Sequence, residues 1–471
     1  MRTELVESKL AAHAPRLEGL RVLVLGLGRS GRSAAKLLSA GGARILAADH
    51  GAGPAVEEGA AFVRALGGET RLGGHPPELA READLVVLSP GIPPSVPVVA
   101  EARRLGVPVW SEVELAFRFC RGRVVAVTGS NGKSTTTSMI GAVLRGAGIA
   151  GGTGGNLGTP FADLLAEDSG AAVHAVEVSS FQLETIETFR AAVAIVVNLS
   201  PDHLDRYPSF DAYVAAKSRL LETQRGEDAT VLNLDDPESA RLSGSVRGRL
   251  FRFSTRKEVE AGAFVRGGRL VVRTADGDAE ILDASELPVP GEHNLANAAA
   301  AALACRLSGC SSDDIARGLR TFRALPHRLE FVATLGGVSF YNDSKATNLD
   351  AAARALRSFP PGRVHVILGG KDKGADWPSL AALVRERARR VLLVGEAAPL
   401  VRSGLQRTVP LVDCETVPAA VRVGFEGAEP GDVVVLAPGC ASFDQYRNFE
   451  ERGRDFRRAV EELSPGRDRD A

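Results

Sequence analysis

The sequence predicts an α/β protein built as three domains, and three observations carry that prediction. Apolar strand-like runs alternate with helix-compatible runs, the pattern of parallel sheets covered by helices. The alternation starts afresh at Arg21, at Arg123 and near Ala324. At roughly 150 residues per domain, a chain of 471 residues leaves room for three cores. Joints are expected near 111 and 324, giving domains 1–111, 112–324 and 325–471.

In the first domain, strands are expected at Arg21–Leu25, Arg44–Ala48, Leu85–Leu88 and Val107–Val109, with helical runs such as "AAKLLSAGGA" between them. The first strand runs into "GLGRSG", where Gly26, Gly28 and Gly31 stand at GxGxxG spacing before a helix. A Rossmann-like loop of this kind offers backbone N–H groups and a helix N-terminus to a pyrophosphate. The loop alone leaves the nucleotide open. A dehydrogenase would use Asp49, at the second strand end, to hold an adenosine ribose. Against that reading, no segment supplies a hydride-transfer constellation, and a lone GxGxxG is a weak signal.

The second domain opens with "RVVAVTGSNGKSTTTSMIGAVLRGAG". Its loop, Thr128–Thr135, lies between an apolar strand and a helix, as a phosphate cradle requires. Position 127 is Val, so this is the shorter GxxGKST form, with Gly129, Asn131 and Gly132 shaping the turn. Lys133 reaches terminal phosphates, and Ser134 or Thr135 offers a hydroxyl to Mg²⁺. A P-loop ATPase-type parallel sheet is therefore expected here, with ATP as ligand. Two further strands, Ala172–Val178 and Val193–Val197, bring Glu177 of "EVSSFQL" and Asp202 and His203 of "NLSPDHLDRY" to the same sheet edge. Glu177 is an oxygen ligand of the type Mg²⁺ prefers, and a neutral His203 imidazole can join it. Without the phosphate loop these would read as a turn-capping carboxylate and a loop histidine. Beside it, metal roles are the stronger reading. From Asp228 to Pro290 short β-type pieces surround Gly267–Gly268, which predicts a small antiparallel insert rich in hairpins. An Ala-rich helix, about Asn294 to Leu307, follows.

The third domain repeats the strand–loop texture at Val338–Tyr341, Val364–Leu368, Val391–Val394 and Val433–Leu436, again a Rossmann-like α/β pattern. The tail "SPGRDRDA" reads as frayed. Bulk properties agree with a soluble protein: 44% hydrophobic, 24% charged and a formal net charge of −1. That balance does not suggest a polyanion-binding protein, although local patches can still hold phosphates. Neither nucleic acid nor a membrane is expected as partner. Five scattered cysteines without metal-ligand spacing fit reduced thiols and a cytoplasmic location. The N-terminal segment is too polar for a signal peptide, and no apolar run approaches the ~20 residues of a membrane span.

Nine segments together carry a resemblance: "TGSNGKST", "GGNLGTP", "EVSSFQLE", "NLSPDHLDRY", "AAKSRL", "GEHNLANAAAA", "LPHRLE", "NDSKATN" and "APGCASFDQYRNFEERG". In this order they resemble the Mur ligases of bacterial peptidoglycan synthesis, from about residue 21 to 456. "DSKATN" and "LPHRLE" point to the D-glutamate-adding branch. The resemblance implies an ATP-dependent ligase that phosphorylates the carboxylate of UDP-N-acetylmuramoyl-L-alanine, and the amine of D-glutamate then attacks the acyl phosphate. It implies Lys133 on the β- and γ-phosphates, Ser134, Thr135 and Glu177 at a first Mg²⁺, and His203 at a second. Asn156 and Asn297 match the adenine-side amides, and Arg328 and Asp343 match contacts to the nucleotide from the third domain. Lys345 matches a phosphate-side cation at the reaction centre. Lys217 is the odd member, because an ammonium repels Mg²⁺. The family's lysine here carries a CO₂-derived carbamate, which turns it into a metal ligand; the alternative is a solvated lysine on a helix from about Ser209 to Glu222.

For D-glutamate the matching positions are Thr347, Lys373, Ser442 and the backbone around Phe449, with Lys371 as an alternative cation. The glycine loop acquires a different role under this resemblance. Gly28, Ser30, Gly31, Asp49, Ser89 and Gly91 would hold the UDP handle of the substrate, with Pro90 and Ile92 completing the "SPGI" loop. The family's residues after the aspartate are replaced here by His50 and Gly51, so the uracil contacts are expected to differ, with Arg29 or His50 compensating. Folylpolyglutamate synthases share the phosphate loop and are the nearest enzymatic alternative, but they would not need residues 21–111. A monomer is expected, with the third domain closing over ATP.

Overall fold

The structure, a computed structural model, describes residues 15–203, 206–323 and 325–463. The polar segment 1–14, the tail 464–471 and Ala324 at the expected second joint lie outside the described residues. Two compact units divide the chain: residues 1–284 with 296–321, and residues 285–295 with 322–471.

The first unit contains two sheets. Strands β1 (Arg21–Leu25), β2 (Arg44–Asp49), β3 (Glu69–Leu72), β4 (Leu85–Leu88) and β5 (Val109–Ser111) form an all-parallel sheet of order β3-β2-β1-β4-β5. Its central runs, β1, β2 and β4, are apolar without alternation because both faces are covered. Val22, Val24 and Ala47 pack into one cluster, while Leu23, Leu25 and Leu46 pack into another on the opposite face. The order reverses between β1 and β4, which makes a topological switch point there. The fifth strand lies two residues beyond its expected place. Pro108, having no N–H, serves only as an acceptor from Val86, and the strand begins with Val109 and the fully buried Trp110.

The second sheet of this unit has nine strands in the order β14-β13-β12-β11-β10-β9-β6-β8-β7. They are β6 (Arg123–Thr128), β7 (Thr153–Gly155), β8 (Val173–Glu177), β9 (Val193–Val196), β10 (Ala229–Asn233), β11 (Arg249–Ser254), β12 (Gly262–Arg266), β13 (Arg269–Thr274) and β14 (Gly277–Asp283). Antiparallel pairing is confined to β12–β13 and β13–β14. The run "RLFRFS", expected among the hairpins, is β11 and pairs parallel with β10. A helical crossover, Pro237–Ser245, lies between the two and gives the chain the length a parallel return needs. Gly267 and Gly268 form the expected two-residue turn between β12 and β13, with φ of 55° and 80°, values that L side chains resist.

The second unit carries a six-stranded sheet, β15-β16-β20-β17-β18-β19. Its strands are β15 (Glu330–Leu335), β16 (Val338–Asn342), β17 (Val364–Gly369), β18 (Ala388–Val394), β19 (Leu411–Glu415) and β20 (Val433–Leu436). Only β15 runs antiparallel, paired with β16. Val366, Val391 and Val435 face one cluster, and Ile367, Leu392 and Val434 face the other. Among the described residues, no helix is long and apolar enough to cross a membrane.

The two sheets of the first unit meet at a buried carboxyl. β5 runs directly into the helix Glu112–Phe119, and Glu112 is 1% exposed. Its Oε1 accepts the Ala162 N–H at 2.7 Å, while Oε2 has no hydrogen-bond partner among the described residues. Burial pushes this carboxyl up to about 7, helped by nearby Asp163 and opposed by the N–H groups of Ala162 and Phe161. An unfolded chain releases the same proton near ~4.3. Between those values the folded state binds more protons than the unfolded one, so this group makes stability fall as pH rises, by at most about 1.4 kcal/mol per pH unit. Glu112→Gln is therefore expected to flatten the decline in urea midpoint between about pH 5 and pH 7. Equal slopes for both proteins would show that Glu112 does not hold its proton.

Candidate active site

Apolar β6 delivers Thr128 to a loop that only glycine geometry can close. Gly129 has φ 141° and Gly132 has φ 82°. A Cβ on Gly132 would stand 2.4 Å from Asn297 Oδ1. Gly132 caps the helix Lys133–Gly146, so the loop's N–H groups and the helix N-terminus open at one place. The Lys133 ammonium donates to the carbonyls of Gly129 at 2.9 Å and Ser130 at 2.8 Å. Asn198, at the end of β9, clamps the turn from the side: its Oδ1 accepts from Asn131 N and its Nδ2 donates to Asn131 O.

The neighbouring strand end supplies the carboxylate. Glu177 closes β8 and is 2% exposed. Ser134 Oγ donates to its Oε2, and Asn156 Nδ2 donates to its Oε1 at 2.7 Å. Asn297 accepts from Thr136 Oγ1 at 3.3 Å. Thus Lys133, Ser134, Glu177, Asn156 and Asn297 are gathered around one loop. Thr135 lies on the same first helical turn, half-buried.

Lys217 is brought to this group by the helix Phe210–Ser218, shorter than expected because the chain tightens into a 3₁₀ turn at Arg219–Leu221. The solvated alternative fails, since Lys217 is 1% exposed and its Nζ donates to Gly129 O at 2.7 Å. Burial drives its pKa well below the usual lysine range; Lys133 adds to this, while Asp202 and Glu177 oppose it. His203 has a positive φ of 55° and its N–H is held by Asp202 Oδ1 at 3.0 Å. Its ring lies edge-on to Phe181, with centroids 4.9 Å apart, and is partly exposed.

A hard-oxygen set of Ser134 hydroxyl and Glu177 carboxylate suits Mg²⁺. The His203 side suits a second ion only if Lys217 presents oxygen rather than nitrogen.

At the first sheet's switch point, Asp49 fixes the glycine loop by accepting Leu27 N at 2.8 Å and Gly51 N at 2.9 Å. Gly31 is obligatory, because a Cβ there would lie 1.8 Å from Gly26 O. Gly28 and Gly91 face open space instead, with nothing within 4 Å of such a Cβ. Ser89 Oγ donates to Gly26 O at 3.2 Å, and Ser30 lies in the first turn of the helix Arg29–Ala40. Arg29 reaches Gly158 O at 3.3 Å in the second sheet's "GGNLGTP" loop.

In the second unit, Lys345 Nζ lies 3.9 Å from the centroid of the Phe449 ring. Asp343 accepts Leu329 N at 3.1 Å, and desolvation pushes its carboxyl up to about 7 against that bond and the charge of Arg328. Thr347 lies two residues after Lys345, its N–H bonded to Lys345 O. Ser442 is buried, and Lys371 pairs through its backbone with Ala441. Lys373 lies two residues beyond in that loop and is exposed. The sequence reading assigned no role to Arg452, which holds these pieces together. Its guanidinium donates to Ser344 O at 2.8 Å, Cys440 O at 3.1 Å and Ala441 O at 3.2 Å. Arg452 and Asn198 both lie inside the motifs quoted above, but nothing in their local spacing names the backbone groups they hold.

Comparison with known proteins follows the same three-part division. Family models match residues 20–111 (Mur ligase MurD-like, N-terminal domain), 127–305 (Mur ligase middle domain) and 327–440 (Mur ligase, glutamate ligase domain). A relative from Acidobacterium capsulatum, named UDP-N-acetylmuramoylalanine–D-glutamate ligase, is 45% identical over 94% of this chain and 96% of its own. One from Solibacter usitatus with the same name is 44% identical over 96% of this chain and 99% of its own. Among solved structures, MurF from Acinetobacter baumannii matches with TM-score 0.62 and 19% identity, covering 97% of this chain and 98% of that one. A pseudomurein peptide ligase type C from Methanothermus fervidus matches with TM-score 0.61 and 18% identity, covering 95% and 100%. These two show a shared fold.

Proposed function

The chain belongs to the Mur ligase family, and from that premise we infer the reaction it performs. It is an ATP-dependent amide ligase that adds D-glutamate to UDP-N-acetylmuramoyl-L-alanine in peptidoglycan precursor synthesis, releasing ADP and phosphate. The observation that carries this is the full-length similarity to relatives bearing that name, 45% identical across 94% of the chain. The parallel sheet β1–β5 supports it over a folylpolyglutamate-type reaction, which has no use for a nucleotide-handle domain.

The chemistry follows from charge. A carboxylate resists amine attack because oxide is a poor leaving group, whereas its acyl phosphate expels phosphate readily. Gly129, Asn131, Gly132 and Lys133 are proposed to cradle the triphosphate, with Asn156 and Asn297 on the adenine side and Arg328 and Asp343 contributing from the second unit. Ser134, Thr135 and Glu177 would hold one Mg²⁺, and His203 and carbamylated Lys217 a second; the ions would neutralise charge on the transferring phosphoryl group. Lys345 is proposed as the cation beside the acyl phosphate. Thr347, Lys373, Ser442 and Phe449 are proposed to receive D-glutamate, the buried Arg452 keeping Ser344 and the 440–441 backbone in place for them. Gly28, Ser30, Gly31, Asp49, Ser89 and Gly91 are proposed to hold the UDP. Arg29 or His50 is proposed to compensate for the uracil contacts that His50 and Gly51 replace. A cytoplasmic location and a monomer belong to the same reading, since one chain carries every motif.

The test is phosphate release across a panel of UDP-sugar precursors, folates and D- and L-amino acids. Sustained release is expected only with UDP-N-acetylmuramoyl-L-alanine and D-glutamate together. Equal release with a longer UDP-linked peptide, with a folate or with ATP alone would overturn the assignment.

A further inference from the structure

The ATP loop occupies the C-terminal end of β6, and a separate cavity lies at the strand's other end. Its volume is about 540 Å³, within the range of small-molecule sites. Five arginines line it, Arg118, Arg121, Arg123, Arg190 and Arg225, and no aspartate or glutamate does. For a chain whose formal net charge is −1, that is a concentrated local field.

The charges are not all spent inside the protein. Arg118 is buried, paired with Glu114 at 2.7 Å and Glu187 at 2.9 Å, and stacked on Trp110. Arg190 pairs with Glu227 at 3.4 Å and Asp228 at 3.3 Å. Arg123 donates only to an uncharged acceptor, Ser308 O at 3.2 Å. The side chains of Arg121 and Arg225 are exposed and make no ion pair among the described residues. Among the described residues, three guanidinium groups thus remain without a carboxylate. The backbone at Arg121 is pinned in place. Asp168 accepts the backbone N–H groups of Arg121 and Gly122 and is itself bonded to His174 Nε2 at 2.9 Å. Its charge is thereby committed to the loop and to that ring. Cys120 adds no anion, because burial and Asp168 hold its thiol up to about 12.

We propose that this arginine-lined cavity is a second anion site, taking a compact polyphosphate. Guanidinium forks match phosphate oxygens in pairs, and several forks around one concavity favour a ligand with more than one phosphate group over a single carboxylate. The site is separate from the ATP loop: β6 spans six residues between them, roughly 20 Å at 3.3 Å per residue. It also lies at the amino edge of the parallel strands, away from the carboxyl edge where the reaction's ligands collect.

The test titrates inorganic tripolyphosphate by calorimetry into the wild-type chain, Lys133→Ala, and the double variant Arg121→Glu with Arg225→Glu. Lys133→Ala is expected to keep a binding event that the double variant weakens at least tenfold, with sulfate binding much more weakly than tripolyphosphate. Ligase activity without tripolyphosphate is expected to be unchanged in the double variant, whose two side chains are exposed and outside the active site. Should the charge reversals fail to fold, Arg121→Gln with Arg225→Gln reads the same loss. Superimposable isotherms for wild type and arginine variants would overturn the proposal. So would disappearance of all binding in Lys133→Ala, or sulfate binding as tightly as tripolyphosphate.

Discussion

Lys133→Ala is expected to lower kcat for D-glutamate ligation by about 10³-fold while leaving affinity for the UDP-linked substrate within a factor of about two. The first figure follows from what a preorganised cation contributes where negative charge develops in a water-poor cleft, commonly 10²–10³ in rate for one lost donor. Lys133 opens the helix at Lys133–Gly146, and its ammonium is already held over the loop by the carbonyls of Gly129 and Ser130. Little reorganisation is needed when phosphate oxygens replace those carbonyls. The second figure follows from topology. Asp49 ends β2 of the five-stranded sheet and Gly28, Ser89 and Gly91 lie in the loops after its β1 and β4, whereas Lys133 follows β6 of the nine-stranded one. Single-turnover acyl-phosphate formation and calorimetric titration of the UDP substrate measure the two quantities separately. Loss of both in a folded variant would contradict the assignment of the two nucleotides to two sheets.

The sequence showed these loops because both depend on residue types that physics restricts. Gly31 tolerates no Cβ, Gly132 needs a left-handed backbone, and the apolar strands before them are buried on both faces. Edge and glycine-rich strands were harder to read. β3 is "ETRL", half exposed and charged, and β19 is "LVDCE", also at an edge; neither carries the apolar run that marks a central strand. β7 is "TGG", a strand only because it pairs with β8 and because a Cβ on Gly154 or Gly155 would strike backbone oxygen. The supports of the candidate site were illegible for a related reason. Arg452 and Asn198 act on backbone carbonyls and amides brought close by the fold, and no local spacing encodes such partners. Lys217 lies between these cases. Its motif was visible, but periodicity allowed a solvated lysine, and only burial against Gly129 removes that option.

That burial makes Lys217 the site of the other large effect. A lysine in water is protonated at neutral pH and does not attack CO₂. Here desolvation and the charge of Lys133 favour the unprotonated amine, whose lone pair can form an N–C bond to CO₂. The product would be a carbamate, with one proton released to solvent, and nitrogen would be exchanged for two oxygens at the position facing Asp202, Glu177 and the phosphate loop. Such a group suits a hard cation; the parent ammonium does not. Lys217→Arg keeps the positive charge and much of the volume but, protonated throughout, cannot form the carbamate. It is expected to lose at least about 10²-fold in kcat, while Lys217→Glu, which restores a carboxylate, is expected to recover part of that loss. The wild-type enzyme is expected to slow in CO₂-depleted buffer and to recover with bicarbonate at constant pH and ionic strength. Intact-protein mass measured without acidification is expected to show one added CO₂ that disappears on acid treatment and is absent from Lys217→Arg. Full activity in Lys217→Arg, or a wild-type rate indifferent to CO₂, would remove Lys217 from the metal site and leave it a buried strut on Gly129.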